Sequence, residues 1–178
     1  NLDNLDSLAL IQTALRLCFG GSAADLEKAE ALSRLASERT PGFAPAHAHL
    51  AVSAGFRFFF GGGGDQSRAL SASAAETAVA MRPDMAFSHV AMAYALYAHD
   101  EPDLARQAVS RAFQRDSADP AVHTVAKCVL YGIGDFRTAG AMAERTASFR
   151  SEDYYSLGIA ARSAEALTED DRARTLAR

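Results

Sequence analysis

The chain has no tryptophan, two cysteines and five prolines among its 178 residues. Its lysines and arginines are scattered singly, so no basic stripe can neutralise a run of phosphates, and direct nucleic-acid binding is not expected. Attraction to an anionic membrane surface is not expected for the same reason. The longest apolar stretches end after about 10 residues, well short of the roughly 20 needed to span a bilayer. These absences favour a soluble globular chain with a formal net charge of -4.

The two cysteines are not expected to form a disulfide. Cys18 and Cys128 would be separated by several helices, and cysteines whose Cα atoms lie more than about 7 Å apart cannot be bridged. A cytoplasmic location is therefore expected. The sequence shows no signal-peptide pattern and does not begin with methionine. We expect a single helical repeat domain over residues 1–178 that is part of a longer protein.

Small residues recur at a fixed interval along the chain. One set has separations of 42, 34 and 34 residues: Ala29, Ser71, Ala105 and Ala139. A second set keeps the same separations: Ala36, Ala78, Ala112 and Thr146. A third set follows the same register: Pro41, Pro83 and Ser117. A period of 34 with small residues where two helices cross indicates a helix-turn-helix repeat that stacks into a solenoid.

Breaks at glycine and proline predict nine or ten helices and no strand, in four to five units. The expected helices cover residues 5–19, 24–39, 45–60, 67–81, 85–99, 103–115, 120–131 and 136–149, with a further one starting near residue 152. A last helix is expected after Thr168, because its hydroxyl can cap a first turn that contains acidic residues. Small residues at the crossings predict that a larger side chain at Ala105 or Ala139 pushes the helices apart.

Two short segments resemble the tetratricopeptide repeat (TPR) family: Tyr154-Tyr155-Ser156-Leu157-Gly158, and Gly134-Asp135-Phe136 followed by Ala139. The resemblance covers essentially the whole chain and implies an all-α, right-handed superhelix, an alpha-solenoid of antiparallel helix pairs. The chain departs from the family where His47, His89 and His123 replace an early aromatic residue, and where the second unit has about eight extra residues. The segment from Thr40 to His47 is also similar to repeat regions attached to bacterial winged-helix transcriptional regulators and class III adenylate cyclases.

These three histidines raise a metal hypothesis, which repeat geometry disfavours. Equivalent residues on successive units lie about 10 Å apart, whereas zinc needs ligand nitrogens about 2 Å from one point. We therefore expect no metal, and each imidazole is expected to pack and to form a local hydrogen bond. A pH-sensitive stack is the alternative.

The TPR resemblance implies a peptide-binding groove on the first helices of the units. Carried over position by position, it consists of Phe87, Val90, Tyr94, Tyr97, Thr124, Cys128, Tyr131, Tyr155, Ile159 and Arg162. Tyrosines on such a wall combine apolar area with a hydroxyl, as recognition surfaces do, and a peptide strand or helix is the implied ligand. The alternative is that these tyrosines only support neighbouring helices. The Lys and Asn pattern with which some co-chaperone members clamp a terminal carboxylate is missing.

The most unusual local composition is a phenylalanine-rich stretch before four glycines, Phe56-Arg57-Phe58-Phe59-Phe60 and Gly61 to Gly64. Helical spacing places Phe56, Phe59 and Phe60 on one face and leaves Phe58 on another, so Phe58 is expected to be exposed. The four phenylalanines either pack on neighbouring units or form an interface with a partner or a second copy. The glycines are not a phosphate loop, because neither Lys-Ser nor Lys-Thr follows them.

No enzyme, cofactor or metal is expected. Cys128 and His123 lie five residues apart on one predicted helix, about 140° from each other, which argues against a nucleophile pair. The expected function is a protein or peptide interaction domain, acting as the regulatory or sensory module of a bacterial signalling or transcription-regulatory protein. The alternative is a structural scaffold or assembly factor that self-associates through Phe56, Phe58, Phe59 and Phe60.

Overall fold

The computed structural model describes residues 2–20, 22–149 and 154–176, and every regular element in these ranges is an α-helix. The helices are α1 (Leu2–Gly20), α2 (Ala23–Arg39), α3 (Ala44–Phe60), α4 (Gly64–Met81), α5 (Ala86–Ala98), α6 (Pro102–Arg115), α7 (Pro120–Gly132), α8 (Phe136–Phe149) and α9 (Tyr154–Leu176). The chain divides into two compact units, Asn1–Ser117 and Ala118–Arg178. A single domain over residues 1–178 stays a prediction.

In unit 1 the first helices of the pairs form one layer, in which α3 contacts both α1 and α5. The second helices fill the spaces beside them: α2 packs on α1 and α3, α4 packs on α3 and α5, and α6 packs on α5. Each of the helices α1 to α4 thus packs against both its own partner and the next pair, which is the arrangement of a helical solenoid. The all-α solenoid expected from the 34-residue period is confirmed.

Residues at the helix ends follow the same period. The second helices of the three pairs in unit 1 end in the same way. The backbone N–H groups of Thr40, Arg82 and Asp116 each donate to a carbonyl four residues earlier, at 3.0 Å. The three acceptors are Ala36, Ala78 and Ala112. At the start of α2, Ser22 and Asp25 form a reciprocal capping box. The sequence therefore specifies where these helices begin and end.

The predicted crossing positions are almost all completely buried. Ala29, Ala36, Ser71, Ala78, Ala105, Ala112 and Ala139 have 0% of their surface exposed. Ser71 also donates its hydroxyl to the carbonyl of Ala51 on the facing helix, at 2.8 Å. Thr146 is the exception: it is half-buried, and its hydroxyl donates to Met142 within its own helix. Small side chains thus permit close helix contacts at these crossings.

Two of the repeated histidines form the same local hydrogen bond. The Nε2 atoms of His47 and His89 lie 2.9 and 2.8 Å from the carbonyl oxygens of Pro41 and Pro83, each six residues earlier. The imidazole thus ties the first turn of a helix to the proline loop that precedes it. The expected local bonding is confirmed for these two histidines.

Unit 2 contains α7, α8 and α9, and each of these helices packs on the other two. The prediction of a new helix after Thr168 is wrong, because α9 is continuous from Tyr154 to Leu176. No glycine or proline interrupts this stretch after Gly158, and the Thr168 hydroxyl donates to the carbonyl of Ala164 at 2.9 Å instead of capping a new helix. Lys127 of α7 is buried, and its ammonium group donates to the hydroxyl of Ser156 on α9.

Within the described residues, no helix is both long enough and apolar enough to cross a lipid bilayer.

The requirement for a small residue at the helix crossings can be tested by making the same substitution at two positions of α4. Ala78 is fully buried and Ala80 is exposed. We expect Ala78→Leu to lower the free energy of unfolding by about 1 to 3 kcal/mol, because the added atoms force the helices apart. The matched control Ala80→Leu should change it by less than about 0.5 kcal/mol. Urea denaturation followed by far-UV circular dichroism measures both, and equal effects would contradict the close crossing.

Candidate functional site

Seven aromatic side chains from three helices of unit 1 form one connected set, called here the aromatic cluster. Its members are Phe19 of α1, Phe56, Phe58, Phe59 and Phe60 of α3, and Tyr94 and Tyr97 of α5. From the sequence, the phenylalanine-rich stretch and the groove tyrosines were predicted to be two separate sites. The structure brings them together, because the ends of α3 and α5 lie side by side.

The ring contacts are close and run across the three helices. Phe56 stacks on Tyr94 with ring centroids 5.0 Å apart, and it packs edge-to-face with Phe19, also at 5.0 Å. Phe59 stacks on Tyr97 at 4.5 Å. Such pairs add about 0.5 to 1.5 kcal/mol each beyond the area that they bury. The cluster is therefore one connected set of packed rings rather than a group of independent side chains.

One small residue permits this packing. A Cβ atom added to Gly55 would lie 2.4 Å from Cδ1 and 2.6 Å from Cε1 of Tyr94. The tyrosine ring thus lies directly on the backbone of α3, where only glycine leaves room. Tyr94 is fully buried as a result, and the less buried rings of the cluster continue outward from it.

The exposed end of the cluster differs from the expectation. Phe60 is 61% exposed, whereas Phe58, predicted to be the exposed ring, is half-buried. The reason lies in α4, which supplies Arg68 with its guanidinium carbon 5.6 Å from the centroid of the Phe58 ring. Phe60 is the last residue of α3, where the neighbouring helices no longer cover it. Phe60, with the half-buried Phe59 and Tyr97, is called the exposed edge below.

Two rings of the exposed edge, Phe59 and Phe60, lie in the insertion of the second unit. His47 and His89 are 42 residues apart but Ser71 and Ala105 only 34, so eight additional residues lie between helix positions 56 and 68. In the structure they lengthen the end of α3 and the start of α4 around the glycine loop. The insertion therefore provides two of the three rings of the exposed edge.

A buried carboxylate anchors this insertion. The Glu30 carboxylate of α2 accepts hydrogen bonds from Arg34 and Arg57, both at 3.0 Å, and from the Ser67 hydroxyl of α4 at 2.7 Å. Glu30 is only 4% exposed, so three donors compensate its charge in a site largely withdrawn from water. This network joins α2, α3 and α4. The sequence contained no signal for it, because its members are 27 and 37 residues apart.

The predicted groove residues of unit 1 are mostly core residues. Val90 and Tyr94 are fully buried, so neither side chain can contact a partner in this structure. Phe87 is also buried, stacked on His49 with ring centroids 4.4 Å apart. Tyr97 is half-buried at the exposed edge. The expectation of accessible groove residues is thus wrong for Phe87, Val90 and Tyr94, because α3 lies against that face of α5.

In unit 2 the predicted groove residues also divide between core and surface. Cys128 and Ile159 are buried, Thr124 and Tyr131 are half-buried, and Arg162 is exposed. Tyr131 packs its ring edge-on against Phe136 with centroids 5.5 Å apart. The side chain of Tyr155 lies outside the described part of the structure. Among the described groove residues of unit 2, Arg162 is therefore exposed, and Thr124 and Tyr131 keep part of their surface accessible.

The chemically reactive side chains are buried and separate. Burial raises the pKa of the Cys18 thiol to about 12, and the thiol of Cys128 donates to the Thr124 carbonyl at 3.2 Å. Both cysteines are free. Among the residues that the structure describes, no three His, Cys, Asp or Glu side chains lie together as metal ligands.

Comparison with solved structures identifies the fold. The chain superposes on TTC0263, a thermophilic TPR protein of Thermus thermophilus, with a TM-score of 0.62 and 18% identity, covering 92% of this chain and 82% of that one. The chain has a TPR-like fold. The assembly chaperone of RpL4, Acl4, gives a TM-score of 0.61 at 10% identity over 85% of this chain and 64% of that one. An O-GlcNAc transferase of Thermobaculum terrenum gives a TM-score of 0.53 at 18% identity, over 83% of this chain and 27% of that one.

No protein-family model and no curated protein sequence matches the chain. In terms of the TPR-like fold, α1, α3 and α5 are the first helices of successive pairs. The aromatic cluster therefore lies on the layer where the resemblance implied a groove. Its exposed edge lies at the ends of α3 and α5, beyond the mid-helix position of Val90.

The close contact between Gly55 and the Tyr94 ring can be tested by making the same substitution at two helix glycines, Gly55 and Gly158. Gly55→Ala should lower the free energy of unfolding by about 1 to 3 kcal/mol, because the new methyl group collides with the Tyr94 ring. Gly158 of α9 has no described atom within 4 Å of an added Cβ. Gly158→Ala should therefore stabilise the chain by up to about 1 kcal/mol through helix propensity. Urea midpoints measure both, and stabilisation by Gly55→Ala would contradict the packing described.

The His49–Phe87 stack predicts a dependence of stability on pH. Burial lowers the pKa of His49 from 6.5 to about 4. Between these values the unfolded chain binds a proton that the folded chain does not, so stability is full above pH 6.5 and falls as the pH drops toward 4. In His49→Phe, which keeps a ring on Phe87, this part of the decline should disappear. Urea midpoints measured above pH 6.5 and at about pH 5 test this, and identical declines in both proteins would refute it.

Proposed function

We propose that unit 1 is a protein-interaction module that binds a peptide segment of another protein at the exposed edge of the aromatic cluster. The observation that carries this proposal is Phe60, which is 61% exposed at the end of a continuous series of ring contacts. An exposed phenylalanine normally rotates freely and costs entropy to immobilise. Here Phe56 and Phe59 already contact its ring, so a partner can bind a surface that is largely preorganised.

The chemistry of the edge defines the partner. Aromatic side chains that combine large contact area with few rotatable bonds dominate the energetics of protein interfaces. The partner that fits is a peptide segment with an apolar or aromatic anchor residue, which packs against Phe60 and the half-buried rings of Phe59 and Tyr97. Leu5 is equally exposed but lies in none of these ring contacts, so it is not part of the proposed site.

The TPR-like fold supports an interaction role, since solenoids present extended surfaces to partners. One of the similar structures is an assembly chaperone, named for the protein RpL4. The proposal does not include catalysis or a cofactor, because the thiols are buried and hydrogen-bonded within the chain. Nucleic acid is not a proposed partner, in keeping with the net charge of -4.

A more specific role, as a regulatory or sensory module, is supported by the sequence alone. The segment from Thr40 to His47 is similar to repeat regions of bacterial winged-helix regulators and class III adenylate cyclases, which supports a regulatory or sensory module of a cytoplasmic signalling protein. In unit 2, Tyr131 and Arg162 are proposed as further contacts for a partner.

A second candidate function is self-association, which Phe60 also favours, since a large exposed aromatic residue on one copy can bury against another. It differs from peptide binding in one measurable respect. A self-associating chain has a mass that rises with its own concentration, whereas a peptide-binding monomer does not.

Two matched variants test the proposal. Peptides selected from a random dodecapeptide phage library against the whole chain are labelled with fluorescein, and their affinities are measured by fluorescence anisotropy. Phe60→Ser should weaken binding at least about tenfold, because it removes the central anchor of the surface. Leu5→Ser removes an apolar side chain of the same exposure, 61%, and should leave the affinity within about twofold.

The outcomes separate the two functions. Loss of binding in Phe60→Ser alone supports the peptide site. Equal affinities in both variants, or no enriched peptide, would rule it out. Sedimentation velocity over a range of concentrations tests the alternative, for which the mass should rise with concentration in the wild type and in Leu5→Ser but not in Phe60→Ser.

A further inference from the structure

The last turn of α3, which carries the exposed rings, is held from the opposite side by a charge network. Arg57 immediately precedes Phe58, and its Nη1 atom donates to Oε1 of Glu30 at 3.0 Å. The other oxygen of Glu30 accepts from the Ser67 hydroxyl at 2.7 Å. One carboxylate of α2 therefore binds the last turn of α3 and the first turn of α4, the two segments that flank the glycine loop.

The glycine loop packs on the stem of the same arginine. A Cβ atom at Gly61 would lie 3.1 Å from Cγ of Arg57, and one at Gly63 would lie 2.9 Å from it. The backbone N–H groups of both glycines donate to the Arg57 carbonyl, at 2.9 and 3.0 Å. The loop thus lies against both the backbone carbonyl and the side-chain stem of Arg57, whose guanidinium group binds the Glu30 carboxylate.

We propose that Glu30 is a positioning residue for the aromatic surface: it acts through Arg57 to fix the last turn of α3, and with it the rings of Phe59 and Phe60. The inference rests on the proposed peptide-binding function for its biological meaning, but its structural part is testable without a ligand. Glu30 is nearly fully buried, and its carboxylate binds Arg57 in the last turn of α3. Its effect on the surface is therefore indirect.

Charge, rather than shape, is what this position requires. Glutamine keeps the size of the side chain but cannot compensate two guanidinium groups, and a half-buried arginine without its counter-charge turns toward water. When Arg57 turns, the contacts beneath Gly61 and Gly63 are lost. Phe59 then moves relative to Tyr97, on which it is stacked at 4.5 Å.

The structure offers a matched control on the same helix. Glu27 also faces Arg57, with Oε1 3.7 Å from Nη2, but its side chain is 69% exposed. Exposed ion pairs contribute little, so Glu27→Gln should leave Arg57 in place. Glu30→Gln and Glu27→Gln thus make the same chemical change next to the same arginine, one in a buried site and one in an exposed site.

The experiment follows the ring of Tyr97 directly. The full chain has five tyrosines, so 3-fluorotyrosine labelling gives few ¹⁹F resonances, and Tyr97→Phe assigns the one that reports on the stack with Phe59. We expect Glu30→Gln to shift this resonance by more than its linewidth and Glu27→Gln to leave it unchanged. A merely stabilising role would lower the urea midpoint without moving the native-state resonance. An unshifted resonance in folded Glu30→Gln would therefore overturn the proposal.

A second variant covers the case in which Glu30→Gln does not fold. Ser67→Ala removes the donor to the second oxygen of Glu30, which leaves the carboxylate less firmly oriented toward Arg57, and it should also shift the Tyr97 resonance. No shift in Ser67→Ala, when Glu30→Gln is unfolded, overturns the proposal.

The effect on function is measured as the affinity for the library-selected peptide. Glu30→Gln should weaken it about fivefold or more, the usual range for coupling between sites, while Glu27→Gln should not weaken it. A shifted Tyr97 resonance with unchanged affinity would overturn the functional coupling but not the peptide site, whose own failure is read from Phe60→Ser.

Discussion

Helices in unit 1 pack closely because a fully buried small residue occupies each predicted crossing. Ala29, Ser71 and Ala105 have no exposed surface, and each is on the second helix of a pair. A larger side chain at any of these points separates two helix axes and, through them, the neighbouring pair. The order of the layers and the position of every surface residue therefore depend on these side chains remaining small.

The aromatic cluster is a consequence of the same close approach. Because Gly55 has no side chain, Tyr94 lies directly on α3, and Phe56 stacks on the tyrosine ring. The rings beyond this contact follow the extension of α3 outward to Phe60, which the neighbouring helices leave exposed. The surface proposed to bind a partner is thus supported by a tightly packed interior, which limits how far its rings can move.

Much of the fold could be predicted from residue spacing, because helix packing repeats its local requirements. The carbonyls of Ala36, Ala78 and Ala112 accept the same terminal hydrogen bond, and the spacing of these alanines is visible in the sequence. The site was predicted less well. Helical spacing indicated which phenylalanines share a face of α3, but it contained nothing about Arg68 of the next helix, which covers Phe58 and so leaves Phe60 as the exposed ring. The resemblance to TPR repeats also implied that Val90 and Tyr94 line a groove, whereas both are buried.

The sequence by itself determined the helices α1 to α8, their small-residue register and the eight-residue insertion, since each of these depends on contacts between residues close in the chain or repeated at a fixed interval. The tertiary structure alone decided the continuity between the phenylalanines of α3 and the tyrosines of α5, and the burial of Glu30 between Arg57 and Ser67. The physical reason is that both depend on side chains from different helices meeting at one point. That meeting is fixed by how closely the helices pack, and no local pattern encodes it.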